Sequence, residues 1–301
     1  MLYYRQKLLL GLLEEFGGKL ANTDFQKYLF LFSEKQGTDR KYFFVPYQQG
    51  CFSFQSYVDR RYLNSSGYIE DTNAVWQLKD KTNKYFDLLT DADRFKLRKF
   101  KKEFIELKGD KLIEYVYLNY PYYTIYSRII DRILTAEQQE KINNVINMDI
   151  VKDETVKLFT IGYEGVSPEE YLNKLIKNNI KTVVDVRKNP LSRKYGFSKT
   201  QLSGLLEKLN INYVHIPNLG IESDKRTNLN TIEDYNKLFD YYEKTILVNQ
   251  QQALNELFKI ITSDKRVALT CFEANPLMCH RSRIAKQLRD LPEWNYEFTE
   301  L

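Results

Sequence analysis

The chain has 301 residues, 43% of them hydrophobic, and its 45 Lys and Arg against 40 Asp and Glu give a formal net charge of +5. This length favours two domains with buried cores, and so small a positive charge permits nucleic-acid contact without indicating a basic module. No stretch reaches the ~18–20 uninterrupted apolar residues of a membrane-spanning helix, so we expect no membrane partner.

The apolar run over residues 8–13 is followed by Glu14 and Glu15 and by no small-residue cleavage site, so a signal peptide is not expected. Three cysteines are too few and too odd in number for a disulfide framework. They are Cys51, Cys271 and Cys279. Reduced cysteines are typical of a cytoplasmic protein, which is the compartment that the sequence predicts.

Residues 1–150 predict a mainly helical first domain. Its predicted elements are a helix over 3–16 ended by Gly17-Gly18, a second helix over 25–34 capped by Thr23-Asp24, an aromatic strand and turn over 42–54, a helix over 57–64, a strand from Tyr68, and further helices from Trp76 to Asn147. The linker to the second domain is predicted over residues 149–157.

The pattern over residues 25–32, 43–47, 50–53 and 67–69 resembles the winged-helix module of phage-associated and antitoxin-type proteins. That module often carries Gly-Pro where this chain has Gly50-Cys51. The resemblance implies contact with DNA or RNA, although a winged helix also serves as a module that docks proteins.

Residues 151–301 alternate between short β-branched runs and amphipathic stretches. The predicted strands cover 158–161, 182–186, 212–216 and 267–271, and the predicted helices cover 168–178, 200–209, 235–261 (as one helix or two) and 279–288. Ser167 is the predicted cap of the first of these helices, with Pro168 at its first position. Such alternation predicts an α/β fold, a mostly parallel sheet with helices on both faces.

Polar side chains follow every predicted strand of the second domain. In open α/β sheets, ligands bind outside the carboxyl ends of the strands, so these side chains predict one site. They are Tyr163, Asp185, Arg187, Ser192, Arg193, His215, Glu273, Cys279, His280 and Arg281.

Five short motifs stand in a fixed order from Leu158 onward: Thr-Ile-Gly-Tyr, Asp-Val-Arg, Pro-x-Ser-Arg, His-Ile-Pro-x-Leu-Gly and Cys-x-Glu-x5-Cys-His-Arg. The last runs from Cys271 to Arg281. In this order they resemble the family called domain of unknown function 488, over nearly half of the chain. The resemblance implies an α/β fold and no settled general reaction.

The arginines of the predicted site favour a phosphate-bearing ligand. Arg187, Arg193 and Arg281 offer planar paired donors, and Arg281 lies near the start of a predicted helix, where anions are favoured. The alternative is that Arg187 and Arg193 pair with Asp185 and Glu273. Ser192, His215 and Tyr163 are further predicted substrate contacts, Tyr163 by stacking on a base or sugar ring. For His215, the alternative is a satisfied histidine at a strand end.

Asp185 and Glu273, with His280, are the predicted acid–base groups. Cys279 is a second catalytic candidate, because a thiol at a helix start near arginines should have a lowered pKa. The alternatives are ion pairing for the carboxylates and a small buried thiol for the cysteine. A phosphatase loop is excluded, since Arg281 follows Cys279 by only two residues.

A metal site made by Cys271, Cys279, His280 and Glu273 is not expected. Two ligands eight residues apart plus an adjacent Cys-His pair do not match a usual zinc spacing, and adjacent residues seldom both reach one ion. The sequence therefore predicts no metal and no other cofactor.

These observations predict an enzyme directed at a nucleotide or nucleic acid, of hydrolase or glycosyl-transfer type, targeted by the winged helix. Such a protein would fit phage defence or nucleic-acid modification. The alternative is a DNA-binding regulator whose α/β domain senses a nucleotide-like ligand without turnover. A third interpretation is a protein-interaction module in which the winged helix docks a partner.

Overall fold

The chain divides into two units with separate cores, Met1–Asp149 and Ile150–Leu301. The computed structural model describes residues 1–72, 74–226 and 229–301, apart from the side chains of Asp71, Met148, Asp149 and Ser223. Within these ranges every helix is too short or too polar to cross a lipid bilayer.

The N-terminal unit combines helices with two small antiparallel sheets. Its elements are α1 (Tyr4–Glu15), β1 (Lys19–Ala21), α2 (Asn22–Gln36), β2 (Val45–Tyr47), β3 (Gly50–Phe52), α3 (Phe54–Ser65), β4 (Ile69–Thr72), β5 (Val75–Leu78), α4 (Asp91–Phe104), α5 (Gly109–Asn119), α6 (Ile130–Ile133) and α7 (Ala136–Asp149). The strand order of one sheet is β1-β5-β4, and β2 and β3 form a hairpin.

Strand β5 replaces the start of the helical region that was predicted from Trp76. Trp76 and Leu78 are buried, while Val75 and Gln77 are half-buried, which is the two-residue period of a strand. Trp76 stacks on Phe25 of α2, with ring centroids 3.9 Å apart. The prediction was wrong here because four residues of alternating burial are too short a pattern to distinguish from the start of the helical region that follows.

The predicted cap of α2 is also wrong. The capping position is Ala21, and no side chain caps the helix. Asp24 instead accepts a hydrogen bond from the backbone N–H of Gly109, at 3.1 Å. The carboxylate therefore joins the start of α5 to α2.

The C-terminal unit is built on a five-stranded, all-parallel sheet. Its elements are β6 (Lys157–Gly162), α8 (Pro168–Lys177), β7 (Thr182–Asp185), α9 (Lys199–Glu207), β8 (Asn212–His215), α10 (Ile232–Tyr241), α11 (Gln251–Asp264), β9 (Arg266–Cys271), α12 (His280–Arg289) and β10 (Glu297–Glu300). The strand order is β10-β6-β9-β7-β8. This arrangement confirms the predicted α/β fold class.

Helices cover both faces of this sheet. On one face Leu269 of β9 shares a buried cluster with Leu257 of α11 and Ile284 of α12. On the other face the hydroxyl of Tyr171, in α8, lies 2.9 Å from the hydroxyl of Thr270. The three central strands are buried along almost their whole length, which explains their continuous apolar sequence.

The central strands β6, β9 and β7 deliver their carboxyl ends to the same edge of the sheet. Gly162 of β6 pairs with Cys271 of β9, and Asp185 of β7 pairs with Thr270. A Cβ at Gly162 would lie only 2.0 Å from the Glu273 carbonyl oxygen, so glycine is what lets the loop after β9 cross this strand end.

Candidate functional site

A cavity of about 310 Å³ opens at this edge. We call it the strand-end cavity. Its lining residues are Tyr163, Arg187, Lys188, Asn189, Leu191, Ser192, Arg193, Ile221, Arg226, Phe272 and His280. Four of these eleven described residues are Lys or Arg and none is Asp or Glu, so the wall of the cavity is cationic.

The cations of the wall differ in how far they are neutralised. Arg187 pairs with Asp185, Arg226 pairs with Glu273, and the ammonium of Lys188 lies 4.0 Å from the carboxylate of Glu222. For Arg193, the described part of the chain supplies no ion-pair or hydrogen-bond partner, and its side chain is exposed. Arg193 is thus the guanidinium most available to a ligand.

Arg187 is held from several sides. Its Nε and Nη2 atoms donate to the two Asp185 oxygens at 2.8 and 2.5 Å, and Nη1 donates to the Tyr163 hydroxyl at 2.6 Å and to the Phe197 carbonyl at 2.9 Å. Most of its donors are therefore engaged within the protein, so Arg187 shapes the wall more than it reaches into the cavity.

Asp185 lies behind this wall and is 0% exposed. Besides Arg187, it accepts a hydrogen bond from the Tyr213 hydroxyl at 2.7 Å. Burial and the neighbouring Asp185 carboxylate raise the pKa of Tyr213. Both Asp185 oxygens are occupied and neither lines the cavity, so this geometry gives the residue a positioning role, as the alternative interpretation of the sequence allowed.

Tyr163 and Phe272 contribute aromatic rings to the cavity wall. The buried Tyr163 ring stacks on Phe197, with centroids 4.3 Å apart and planes at 8°, and meets Phe272 edge-on at 5.4 Å. Burial raises the pKa of the Tyr163 hydroxyl. Phe272 is 43% exposed and Leu191 is 84% exposed, so apolar groups stand open to solvent beside the cationic wall.

The loop after β7 folds back over the end of β6. Ser192 accepts a hydrogen bond from the backbone N–H of Lys194 at 3.2 Å, and the Lys194 ammonium donates to the Tyr163 carbonyl at 3.0 Å. Burial lowers the pKa of Lys194. These contacts bring Ser192 and Arg193 to the cavity, where the sequence predicted them.

His215 is at the end of β8 and does not line the cavity. Its Nε2 is 2.9 Å from the Arg187 carbonyl, which can only accept, so Nε2 carries the proton. The other nitrogen, Nδ1, is then the acceptor that faces the Lys199 ammonium at 3.2 Å. His215 therefore orients the backbone of the loop after β7.

Two thiols and an imidazole meet beneath the strand-end cavity. Cys271 ends β9, Cys279 precedes α12 and His280 begins it, and one side-chain ligand atom from each lies within 4.8 Å of the others. We call these three residues the Cys-His cluster. Each is at most 1% exposed. His280 Nε2 donates to the Val186 carbonyl at 3.0 Å, which leaves Nδ1 facing Cys271 Sγ at 3.6 Å.

The adjacent Cys279 and His280 reach the same point because the backbone changes conformation between them. Cys279 is extended, with φ −130° and ψ 134°, whereas His280 is the first helical residue. The spacing argument against a shared point therefore does not hold for this pair. Sequence spacing alone could not indicate this conformation.

Of the two cysteines in the cluster, Cys271 rather than Cys279 has the lowered pKa. Burial, and the neighbouring Cys271, raise the pKa of Cys279 well above that of an ordinary thiol. At Cys271 burial also opposes ionisation, but Cys279, His280 and Arg226 outweigh it and lower the pKa well below the ordinary value. The prediction of a lowered pKa at Cys279 is wrong, because burial and the neighbouring Cys271 outweigh the effect of Arg281 on that sulfur.

Glu273 connects the Cys-His cluster with solvent. One carboxylate oxygen lies 3.3 Å from Cys271 Sγ, and the other pairs with Arg226. Burial raises the pKa of Glu273, and the neighbouring Cys271 raises it further. Glu273 and Arg226 also line a neighbouring cavity of about 390 Å³, together with Leu229 and Tyr235.

Arg281 is buried and does not line the strand-end cavity. Its guanidinium donates to the backbone carbonyls of Glu273 and Ala274, while its Nε has no hydrogen-bond partner among the described residues. The residue therefore fixes the loop after β9, at the point where Gly162 lies against it.

The sequence interpretation missed Arg226, which lines both cavities. It lies between β8 and α10 and belongs to no short motif. The one available signal was its location in a segment that leaves the carboxyl end of a strand.

Comparison with known families agrees with the motif order. Residues 167–288 match the family model described as "Domain of unknown function DUF488". The match spans β7, β8 and β9, with Asp185, Arg193, Glu273 and the Cys-His cluster, and leaves out β6 and Tyr163. No curated protein and no solved structure shows a significant match to the chain.

Proposed function

We propose that the C-terminal unit, of which residues 167–288 match the DUF488 family model, is the enzyme domain of a protein that acts on a nucleotide or nucleic acid, and that the strand-end cavity holds the phosphate. The observation that carries the proposal is Arg193. It is an exposed guanidinium without a described partner, on a cavity wall that contains four cations and no carboxylate.

A phosphate group suits these cations. A guanidinium offers two parallel N–H donors that match two phosphate oxygens, and Lys188 adds a point charge from the same loop. The cavity, at about 310 Å³, is at the lower end of the ~300–1,000 Å³ typical of small-ligand sites. It therefore suits a mononucleotide or the end of a strand.

The exposed apolar groups at the mouth suit a nucleobase. The ring of Phe272 is 43% exposed, and Leu191 is among the most exposed large apolar residues of the chain. Stacking of a base on an aromatic ring contributes ~1–3 kcal/mol and tolerates any base. A ligand with a phosphate at Arg193 and a base at Phe272 would use both surfaces.

Glu273 is the group that we propose for proton transfer. Its raised pKa favours a protonated carboxyl closer to neutral pH than an ordinary glutamate, which is what a general acid requires. His280 lines the strand-end cavity, whereas Glu273 lines the neighbouring cavity, and Arg226 lines both. A hydrolase or glycosyl-transfer reaction would use Glu273 to protonate the leaving group while Arg193 holds the phosphate.

The alternative is a regulator that binds the same ligand without turnover. One observation favours it: Asp185 is fully hydrogen-bonded and both sulfurs of the Cys-His cluster are buried, so Glu273 is the one predicted catalytic carboxylate with access to a cavity. The alternative makes the same binding predictions and differs in product formation.

For the N-terminal unit we propose a winged helix that targets DNA or RNA. Supporting this is the element order α1-β1-α2-β2-β3-α3-β4-β5, in which the β2-β3 hairpin is inserted between α2 and α3, the β4-β5 hairpin follows α3, and β1 pairs with β5. Arg61 and Tyr62 are exposed on α3. A nucleic-acid-targeted enzyme of this kind fits phage defence or nucleic-acid modification.

The phosphate proposal is tested by calorimetric titration with nucleoside mono-, di- and triphosphates and with 5′-phosphorylated oligonucleotides. Losing a hydrogen bond to a charged group costs ~1.5–3 kcal/mol, so Arg193→Ala should weaken binding about 10–100-fold. Arg193→Lys should recover part of this loss. Lys174→Ala, which removes an equal charge from the exposed side of α8, is the matched control. Equal affinity of wild type and Arg193→Ala would refute the proposal.

Turnover is tested on the same ligands by mass spectrometry of the products. The enzyme proposal expects Glu273→Gln to bind but to yield no product. If the wild-type chain binds and forms no product from any of these ligands, the regulator replaces the enzyme.

Targeting is tested by titrating duplex DNA at two salt concentrations. Phosphate contacts give an affinity that falls steeply with salt, and Arg61→Ala should reduce both the affinity and the slope. Absence of salt-dependent binding would instead support a winged helix that docks a protein.

A further inference from the structure

The Cys-His cluster lies beneath the strand-end cavity and has the composition of a metal-binding site. We propose that Cys271 Sγ, Cys279 Sγ and His280 Nδ1 bind one thiolate-preferring divalent metal ion, of which Zn²⁺ is the type. The ion would have three protein donors and one further position. The proposal goes beyond phosphate binding, because Arg193 needs no metal to hold an anion.

The distances fit such an ion. Zinc bonds of about 2.3 Å to sulfur and about 2.0–2.1 Å to nitrogen place the S and N corners of a tetrahedron about 3.5 Å apart. Cys271 Sγ and His280 Nδ1 are 3.6 Å apart. One ligand atom from each of the three residues lies within 4.8 Å of the others, so shifts of about 1 Å complete the tetrahedral edges.

The histidine is prepared as a ligand. Its Nε2–H donates to the Val186 carbonyl at 3.0 Å, so Nδ1 is the nitrogen that a metal ion would take in place of a proton. Metal-bound histidines almost always make such a hydrogen bond to a carbonyl or carboxylate, since it fixes the ring and the tautomer. In His280 the free nitrogen is the one that faces the sulfurs.

The charges also balance. Two thiolates neutralise a divalent ion, and the neighbouring Glu273 carboxylate already has Arg226 as its partner. A buried charge is costly unless it is paired, so thiolates in this position need a cation. With two thiolates, a neutral imidazole and a divalent ion, the site would have no net charge and would need no counter-ion from the solvent.

Burial distinguishes a metal site from a nucleophile. A cysteine nucleophile must touch its substrate, yet Cys271 and Cys279 are both 0% exposed and neither lines the strand-end cavity. An inert buried thiol, in turn, does not explain why a second sulfur and an imidazole nitrogen lie at the same point. Metal binding accounts for all three groups together.

The test uses the full chain, purified under reducing conditions, loaded with Zn²⁺ and freed of excess ion by gel filtration. Elemental analysis should find about one zinc per chain. Cys271→Ser and Cys279→Ser should each remove most of it. Cys51→Ser is the matched control, since Cys51 is the third buried cysteine and lies in the other unit.

Loading the wild-type chain with Co²⁺ avoids any loss of folding in the variants. Bound cobalt should show the near-ultraviolet charge-transfer band that thiolate ligands produce. The proposal is overturned if the folded, reduced wild-type chain retains no metal, if cobalt binds without that band, if Cys271→Ser retains full zinc, or if Cys271 and Cys279 form a disulfide under reducing conditions. Arg193→Ala should keep its zinc, so failure of the phosphate proposal and failure of this one are separate results.

Discussion

Asp185 and Arg187, two residues apart in sequence, form a two-point ion pair inside the wall of the strand-end cavity, with N–O distances of 2.8 and 2.5 Å. Asp185 is 0% exposed and Arg187 is 6% exposed. The carboxylate and the guanidinium are both shielded from water, so each charge is stabilised mainly by the other. The Asp-Val-Arg motif therefore carries a structural requirement in addition to any contact with a ligand.

We predict that Asp185→Asn lowers the free energy of unfolding of the C-terminal unit by about 3–5 kcal/mol, because it leaves the buried Arg187 without a counter-charge. The chain has two tryptophans, Trp76 in the N-terminal unit and Trp294 in the C-terminal unit. Urea unfolding followed by Trp294 fluorescence in a Trp76→Phe background measures the effect. Asp240→Asn, on an exposed helix position, should change it by less than about 0.5 kcal/mol. A cost below 1 kcal/mol at Asp185 would show that the pair is not needed.

Gly162 and Gly204 give a matched pair of glycine-to-alanine changes in the same unit. A Cβ at Gly162 would lie 2.0 Å from the Glu273 carbonyl, whereas one at Gly204, in α9, meets nothing within 4 Å. We predict that Gly162→Ala displaces the loop after β9 and destabilises the unit by more than about 2 kcal/mol, as overpacking does.

Gly204→Ala should instead stabilise it by up to about 1 kcal/mol, the usual gain for alanine in a helix. The same Trp294 measurement serves both variants. Similar effects of the two changes would contradict the close approach at Gly162.

The start of α8 carries a capping box. Ser167 Oγ accepts from the Glu170 backbone N–H at 3.2 Å, and the Glu170 carboxylate accepts from the Ser167 N–H at 2.8 Å. We predict that Ser167→Ala costs about 1 kcal/mol of unfolding free energy, and that Ser167→Asp, which keeps an acceptor, costs much less. Thermal and urea unfolding should agree, and equal losses in the two variants would mean that the cap does not stabilise α8.

Lys27 is buried in α2 and has two backbone carbonyls as partners, those of Gln49 at 2.6 Å and Cys51 at 3.3 Å. Burial lowers its pKa below the usual 10.5. A group that holds its proton less tightly in the folded state than in the unfolded state adds stability as pH rises toward the unfolded value, and this stability is lost as pH falls through the folded value.

We therefore predict that the stability of wild type relative to Lys27→Met increases between neutral pH and pH 10. Unfolding followed by Trp76 in a Trp294→Phe background reports it. Taking the difference between the two proteins cancels the titration of the tyrosines. Lys19→Met, at an exposed position, should show no such trend, and a flat difference for Lys27 would contradict the burial argument.

The sequence was most informative where one local pattern determines the structure. The run over Thr182–Asp185 is β-branched and apolar because its strand is buried on both faces, and this composition identified it. Ser167 and Pro168 marked the start of α8 because a cap and a first-turn proline use only neighbouring backbone. The rule that ligands bind at strand ends predicted one site from Tyr163, Ser192 and Arg193, and these three residues line the strand-end cavity.

Elements that depend on distant partners were not predictable in this way. Strand β10 is an edge strand with glutamates at both ends, and its pairing with β6 leaves no apolar run to recognise. Similarly, the pairing of Asp185 with Arg187 and the burial of Arg281 depend on how the loops pack against the rest of the unit, which the sequence does not show. A motif gives the residue types in a site but not which of them face the ligand.

The position of β9 between β6 and β7 has a consequence for synthesis on the ribosome. A nascent chain made as far as Asp264 contains β6, β7 and β8, yet β6 has neither of its neighbours, since both β9 and β10 follow later. Strand β6 would therefore have no hydrogen-bonded neighbour while about a hundred further residues are synthesised, and such long-range strand pairing is intrinsically slow. Translation rate and chaperone binding should therefore affect the yield of the C-terminal unit.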